Sequence, residues 1–449
     1  MRPTYPEIHG FAIRLQIHAT LVRMARNPEG TSCLSAARRG IDEADGSLVY
    51  VAGRTAPMAT KSTLSALALA FTLPVLATAT ATASAEPSKK AEPKAESAVA
   101  ETAFGTLDDG GKVTLYTLTN PSGAEARIIN FGAIVVSLKV PDRQGKLRDV
   151  VLGYDDLAGY VKDKDFFGST VGRYGNRIAA GKFTLDGKSY QLDVNNGPNH
   201  LHGGAHGFYK KLWKAEPVKG KDGPGVKLTY VSKDGEEGYP GTVTLTLTYT
   251  LTRENGLRLD YQGTTDKATV LNPTHHSYFN LSGDPKRTIL DEELMIDADK
   301  TTPVGPGLIP TGKLADVAGT PMDFRKATKI GARVDAKDEQ LELGKGYDHN
   351  WVLRGGAAKK ARKVAELFDP TSGIVMQILT DQPGLQFYSG NFLNGTIHGK
   401  GGVAYQHRTA LCLEAQLFPD APNHPTFPSA VLRPGQTYKQ TTVYQFSTR

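Results

Sequence analysis

The chain lacks most of the features that announce a chemistry outright. It has two cysteines in 449 residues, Cys33 and Cys412. They stand far apart and form no closely spaced Cys pair of the zinc-site kind, and no HExxH stands in for one. The formal charge of +7 comes without a block of Lys and Arg of the kind that reads nucleic acid. Residues 1–85 hold 8 basic and 5 acidic side chains, so the remainder carries only +4. No segment repeats with a period of about 20–50 residues, which excludes solenoids and propellers. Helical periods are few. The apolar run Leu64 to Leu76 is too short to span a bilayer.

That run has a different reading. Met58-Ala59-Thr60-Lys61 is a short basic start, Leu64 to Leu76 an apolar stretch, and Ala83-Ser84-Ala85 a small-residue cleavage site. Together they read as a signal peptide over 58–85, with translation starting at Met58 and cleavage after Ala85. Residues 1–57 then read as a mis-assigned upstream extension. The expected destination is the periplasm or the medium. No cysteine follows the cleavage site, so no lipid anchor is expected there. The mature chain keeps Cys412 alone and has no intrachain disulfide. Residues 86–101 are rich in Pro, Ala, Lys and Glu and read as a disordered linker.

Short alternating segments separated by turn residues fill the rest. Val113 to Leu118 alternates with period two, as does Val243 to Leu251. The latter meets Glu254-Asn255-Gly256 and resumes as Leu257 to Tyr261, and Asn-Gly between alternating runs predicts a hairpin. A second hairpin is predicted over Phe183 to Leu192, turning at Asp186-Gly187. The fold class is all-β, a large single-domain sandwich over residues 102–449.

Several polar clusters interrupt this pattern. Asn272 to Gly283 sets His275 and His276 beside Ser277 and Tyr278, and histidine exchanges protons near neutral pH. Gly172 to Ile178 contributes Asn176 and the planar donor fork of Arg177, which suit sugar hydroxyls. Asn195 to Gly204 presents His200 and His202 at i, i+2, which point the same way if the segment is extended. With His275 and His276 they raise a metal reading, against which stands the lack of carboxylate ligand spacing. Asp348 opens a strand, either as an acceptor for ligand hydroxyls or as an Asx turn. Leu385 to Phe392 mixes aromatics with amides, among them Gln386. Glu414 lies in an apolar run and shares a strand face with Cys412. A carboxylate there is costly unless it is paired or functional, and partial burial lifts its pKa toward that of a base.

Taken in order, these motifs resemble the aldose 1-epimerases, or galactose mutarotases. The resemblance runs from Leu118-Thr119-Asn120 through Gly172–Ile178, Leu201–Gly204, His276–Leu281, Asp348–Asn350 and Gln386–Phe392 to Glu414–Asn423. It implies a sandwich with a sugar cleft that interconverts the anomers of free aldoses such as D-glucose and D-galactose. It implies Glu414 as general base and His276 as general acid. Asn176, Arg177, His202, Asp348 and Gln386 match the sugar-binding residues, and Ser277 and Tyr278 stand in the binding motif. No metal, nucleotide or redox cofactor is implied. The partners are aldoses, without nucleic acid or a membrane anchor in the mature chain, and a monomer is expected. His275 stands where the family commonly has Asn. On this mechanism His276 starts protonated and Glu414 ionised, giving a bell-shaped pH profile. Two other classes stay open: a sugar-binding module without turnover, and a hydrolase. A glycosidase needs a second carboxylate across the bond, and a metallohydrolase needs an ion.

Overall fold

The computed structural model describes residues 97–449. The readings for 1–57, for the signal peptide 58–85 and for most of the linker lie outside those residues. The domain boundary moves. The first strand is Ala98–Thr106, paired antiparallel with Lys112–Thr119 from Ala98 opposite Thr119. Residues 98–101 are therefore sheet rather than linker. Most side chains of that strand are exposed, so backbone pairing alone places it and no apolar alternation announced it.

The predicted hairpins form. Val243–Leu251 pairs with Gly256–Thr265, closing with Leu251 opposite Leu257 and Asn255 at φ +66° in the turn. Lys182–Leu185 pairs with Lys188–Gln191 around Asp186 and Gly187, at φ +51° and +74°. Two left-handed residues at a two-residue loop match the twist of the flanking strands.

The second hairpin is a two-stranded sheet of its own, and most of the longer strands belong to three main sheets. One has nine strands, with Val243–Leu251, Gly256–Thr265 and the C-terminal strand Tyr438–Thr448 adjacent near its middle. A five-stranded sheet is built in chain order from Ala98–Thr106 to Leu147–Asp149. The other five-stranded sheet runs Ala315–Asp316, Ala298–Thr302, Asp348–Leu353, Gly384–Tyr388, Cys412–Gln416. One continuous core takes Leu118, Ala126 and Ile128 from the first small sheet, Leu245, Leu247 and Leu259 from the large one, and Trp351, Phe387 and Leu413 from the second small one. Tyr444 Oη and Gln440 Nε2 of the large sheet donate to the carbonyls of Leu413 and Ala415. The fold is an all-β sandwich. Two short α-helices, Leu157–Lys162 and Glu339–Gly344, are the only α-helices among the described residues, and neither is long enough to cross a membrane.

The last sheet positions the site. Period-two alternation sends Trp351, Leu385, Phe387, Leu413 and Ala415 into the core. It sends Asp348, Asn350, Gln386, Tyr388, Cys412 and Glu414 to the opposite face. Register sets Asn350, Gln386 and Glu414 side by side in one row, and Asp348, Tyr388 and Cys412 in the next.

Leu247 is fully buried at the centre of the large sheet. Leu247→Ala is expected to cost ~2–5 kcal/mol, read as a lower denaturant midpoint with unchanged slope. Thr248→Ala, on the outer face, is expected to leave the midpoint nearly in place.

Candidate active site

Three backbone features converge on one pocket. The first is the polar face just described, which brings Asp348 and Glu414. The second is the short strand Thr274–His276, paired with Ser169–Val171 so that His276 lies opposite Ser169. The third is a clasp between two loops. Arg177–Ile178 pairs with His200–Leu201. Beyond that pairing His202 N–H donates to the Asn176 carbonyl, and Asn176 N–H donates to His202 Nδ1 at 3.1 Å. Asn176 and His202 both sit at positive φ, +63° and +51°. For a histidine that conformation is uncommon, and the reciprocal hydrogen bonds hold it. Gly203 follows at φ +89°, where a Cβ would overlap the Gly172 carbonyl oxygen.

The pocket encloses about 260 Å³ and is lined by Asn176, Arg177, His202, His276, Tyr278, Asp348 and Glu414. Those seven were expected from the sequence, and the fold brings them together. Two others lie outside its lining. Ser277 does not line the pocket: its hydroxyl pairs with His275 Nε2 at 2.7 Å. His275 and Ser277 share one side of the strand and His276 the other. Gln386 lies behind the wall, where its Nε2 donates to Asp348 Oδ1 at 2.7 Å. His200 also parts from His202. The strand ends between them, and His200 binds the Tyr239 hydroxyl and the Asp193 carbonyl instead. His275, the residue that departs from the family pattern, sits beneath the site against Tyr249 and Ser277.

The sequence reading missed part of the rim. Lys164, Asp165 and Phe166 line the mouth, with Asn196, Leu201, Tyr388 and Phe392. The Phe166 ring lies 4.7 Å from that of His202 and 5.6 Å from that of His276. Phe392, 45% exposed, stacks on Tyr388 at 5.9 Å. Asn196 Oδ1 accepts from Arg177 Nε at 3.1 Å. Tyr388, Phe392 and Asn196 fall inside the polar and aromatic stretches Leu385–Phe392 and Asn195–Gly204 singled out in the sequence. Nothing in the sequence marked Lys164–Phe166, because only the long-range pairing of Ser169–Val171 with Thr274–His276 brings it here.

The two facing groups of the pocket, Glu414 and His276, are buried. Glu414 is 2% exposed, and its Oε2 has no hydrogen-bond partner among the described residues. Its Oε1 stands 3.8 Å from His276 Nε2. Burial, then the charge of Asp348, pushes the Glu414 carboxyl well above the carboxylate range, against an opposing pull from Arg177. Burial lowers the His276 imidazole to about 4. Both shifts favour the uncharged forms, a protonated Glu414 and a neutral His276, over the ion pair expected from the sequence. Burial also raises Asp348, opposed by Arg177, whose Nη1 is 3.8 Å away, and by Gln386.

One nitrogen of His202 and His276 and one oxygen of Glu414 lie within 4.8 Å of one another, close enough to suggest a cation. The hydrogen bonding of His202 argues otherwise. Its Nδ1 accepts from a backbone N–H, so in the neutral ring the proton is on Nε2. Metal-bound histidines donate through the nitrogen that is not ligated. His202 is instead a fixed donor, and burial holds it well below its usual pKa, hence neutral.

Comparison with known proteins agrees with this layout. The family model described as aldose 1-epimerase matches residues 114–445. The chain is 44% identical to galactose mutarotase of Bos taurus over 352 residues, covering 78% of this chain and 99% of that protein. It is 38% identical to aldose 1-epimerase of Escherichia coli (strain K12) over 341 residues, covering 75% and 96%. Among solved structures, galactose 1-epimerase from Lactobacillus acidophilus superposes with a TM-score of 0.70 at 30% identity, covering 79% of this chain and 99% of that one. An aldose epimerase homologue from C. elegans gives 0.67 at 31%, covering 78% and 99%. A pocket with a buried carboxyl facing a histidine, on a sandwich matched along nearly its whole length, has one family to fit: this chain belongs to the aldose 1-epimerases.

Proposed function

We propose that this pocket interconverts the α and β anomers of free aldoses, with Glu414 and His276 as the proton-transfer pair. The observation that carries the reading is the buried Glu414 carboxyl, its Oε2 without a hydrogen-bond partner and its Oε1 3.8 Å from His276 Nε2, in the wall of the pocket. The ionised carboxylate of Glu414 takes the proton of the C1 hydroxyl. The O1–H electrons become the second C1–O1 bond, the C1–O5 bond breaks, and O5 takes the proton of His276. Rotation about C1–C2 presents the other carbonyl face, and reclosure returns both protons. Arg177, Asp348, Asn176, Tyr278 and the fixed Nε2–H of His202 hold the sugar while C1 turns. A glycosidase reading has less support. Asp348 stands on the same sheet face as Glu414, Asp165 lies out at the mouth, and the group facing Glu414 is an imidazole.

Polarimetry tests the reading. Freshly dissolved α-D-galactose and α-D-glucose are expected to reach their unchanged final rotations faster with the protein present. Glu414→Gln is expected to lower the rate by roughly 10²- to 10⁴-fold. Sugar binding without acceleration would identify a binding module, and monosaccharides released from a disaccharide would identify a hydrolase.

The pH profile follows from the shared proton. The pair must carry one proton in total. As pH falls through about 4, His276 gains a proton while Glu414 keeps its own, and the base is lost. As pH rises through the raised Glu414 value, the last proton leaves and the acid is lost. The kcat/KM profile is therefore expected to be bell-shaped, with an acid limb below pH 5. A limb at the ordinary histidine value, about 6.5, would contradict the neutral resting pair.

Export is part of the same reading, carried by the segment Met58–Ala85. Sequencing the amino terminus of the exported protein is expected to give Glu86. Recovery of Met1 at that terminus would remove this part.

A further inference from the structure

The row behind the pocket wall has a direction. Asp348 accepts only, so Gln386 must turn its Nε2 toward Asp348 Oδ1, 2.7 Å away. That choice points Gln386 Oε1 away from the sugar pocket. The atom it meets is Gln416 Nε2, 3.5 Å away, and the same nitrogen stands 3.5 Å from Asn350 Oδ1. Gln416 is fully buried, and Gln386 and Asn350 nearly so. None of the three lines the pocket. The strand between Asn350 and Gln416 carries Gly384 in register with Gln416. A Cβ there would lie 2.5 Å from Asn350 Oδ1 and 3.1 Å from the Gln416 carbonyl oxygen. Glycine keeps open the space in which the two amides meet.

From this we propose that Gln416 is a positioning residue for sugar binding. It anchors the Gln386 amide in the one orientation that donates to Asp348, and so fixes the carboxylate that receives the sugar. The inference rests on the reading of Asp348 as a sugar contact. Without the Gln416 donor, the buried Gln386 Oε1 loses its hydrogen-bond partner, and the amide is free to shift out of line with Asp348 Oδ1. The effect belongs to binding, since neither Glu414 nor His276 bonds to this chain of amides.

The test is polarimetry with D-galactose on the full-length mature protein. Gln416→Met keeps the volume and removes the amide. It is expected to raise KM roughly three- to ten-fold, the net worth of about one hydrogen bond, with kcat within about two-fold of wild type. Gln386→Met is expected to raise KM at least as much, and adding Gln416→Met to it should raise KM no further. A wild-type KM in either single variant, or additive effects in the double, would overturn the inference, and a lower Tm with unchanged KM would mark Gln416 as packing alone. Asp348→Asn separates the two readings. If it leaves KM unchanged, the sugar contact itself is wrong; if it raises KM while Gln386→Met does not, only the relay fails.

Discussion

The structure depends on taking one carboxyl group out of water. Glu414 lies in the middle of a fully buried strand, and its nearest opposite partner is an imidazole that is itself buried. An isolated carboxylate would be very unfavourable there. The pocket answers by letting the pair share a single proton in neutral form, and by surrounding it with groups whose hydrogen-bonding roles are already fixed. His202 can only donate into the pocket, because a backbone N–H occupies its other nitrogen. Asp348 is held between Gln386 and Arg177.

Such fixed roles need a rigid frame, and the sandwich supplies it through simple alternation. Every second residue of the Asp348, Gln386 and Glu414 strands enters the core against the large sheet. The residues between are thereby locked onto the opposite face in register. The C-terminal strand ties this arrangement down by donating from Gln440 and Tyr444 to carbonyls of the Glu414 strand. The position of the base is thus set by the core beneath it, while the acid and the sugar-binding donors arrive on loops clasped to one another.

This division explains what could be read in the sequence. Alternating runs and Asn-Gly or Asp-Gly turns are local signals, so the sandwich and its hairpins were legible. Glu414 was legible because a carboxyl in an apolar strand is out of place, and Asp348 and His276 because polar motifs interrupt strands. Period two also separates Ser277 from His276. It lies one residue from His276 and faces the other way, with His275. Gln386 reads as a sugar contact because it is an amide beside the site, and the structure joins it to Asp348. The Lys164–Phe166 rim depends on the pairing of Ser169–Val171 with a distant segment, and the mostly exposed strand at Ala98 carries no apolar alternation of its own.

The neutral pair also bears on the chemistry. With a cyclic sugar bound, the reacting state has an ionised Glu414 and a protonated His276. With the ring open, both are neutral. Ring opening therefore removes two opposite charges from a buried site, and closing restores them. A pocket that disfavours separated charge lowers the free energy of the open-chain stage relative to water, where no such neutralisation accompanies opening. The same burial makes the ionised pair a minor form of the free enzyme. Both forms carry one proton in total, so pH does not change their ratio between the two limbs, and that ratio is left to the hydroxyls that replace water around the pair when sugar binds. Burial thus costs part of the active form at rest and offsets part of the energy needed to open the ring, and the polar wall of Arg177, His202 and Asp348 sets the balance between the two.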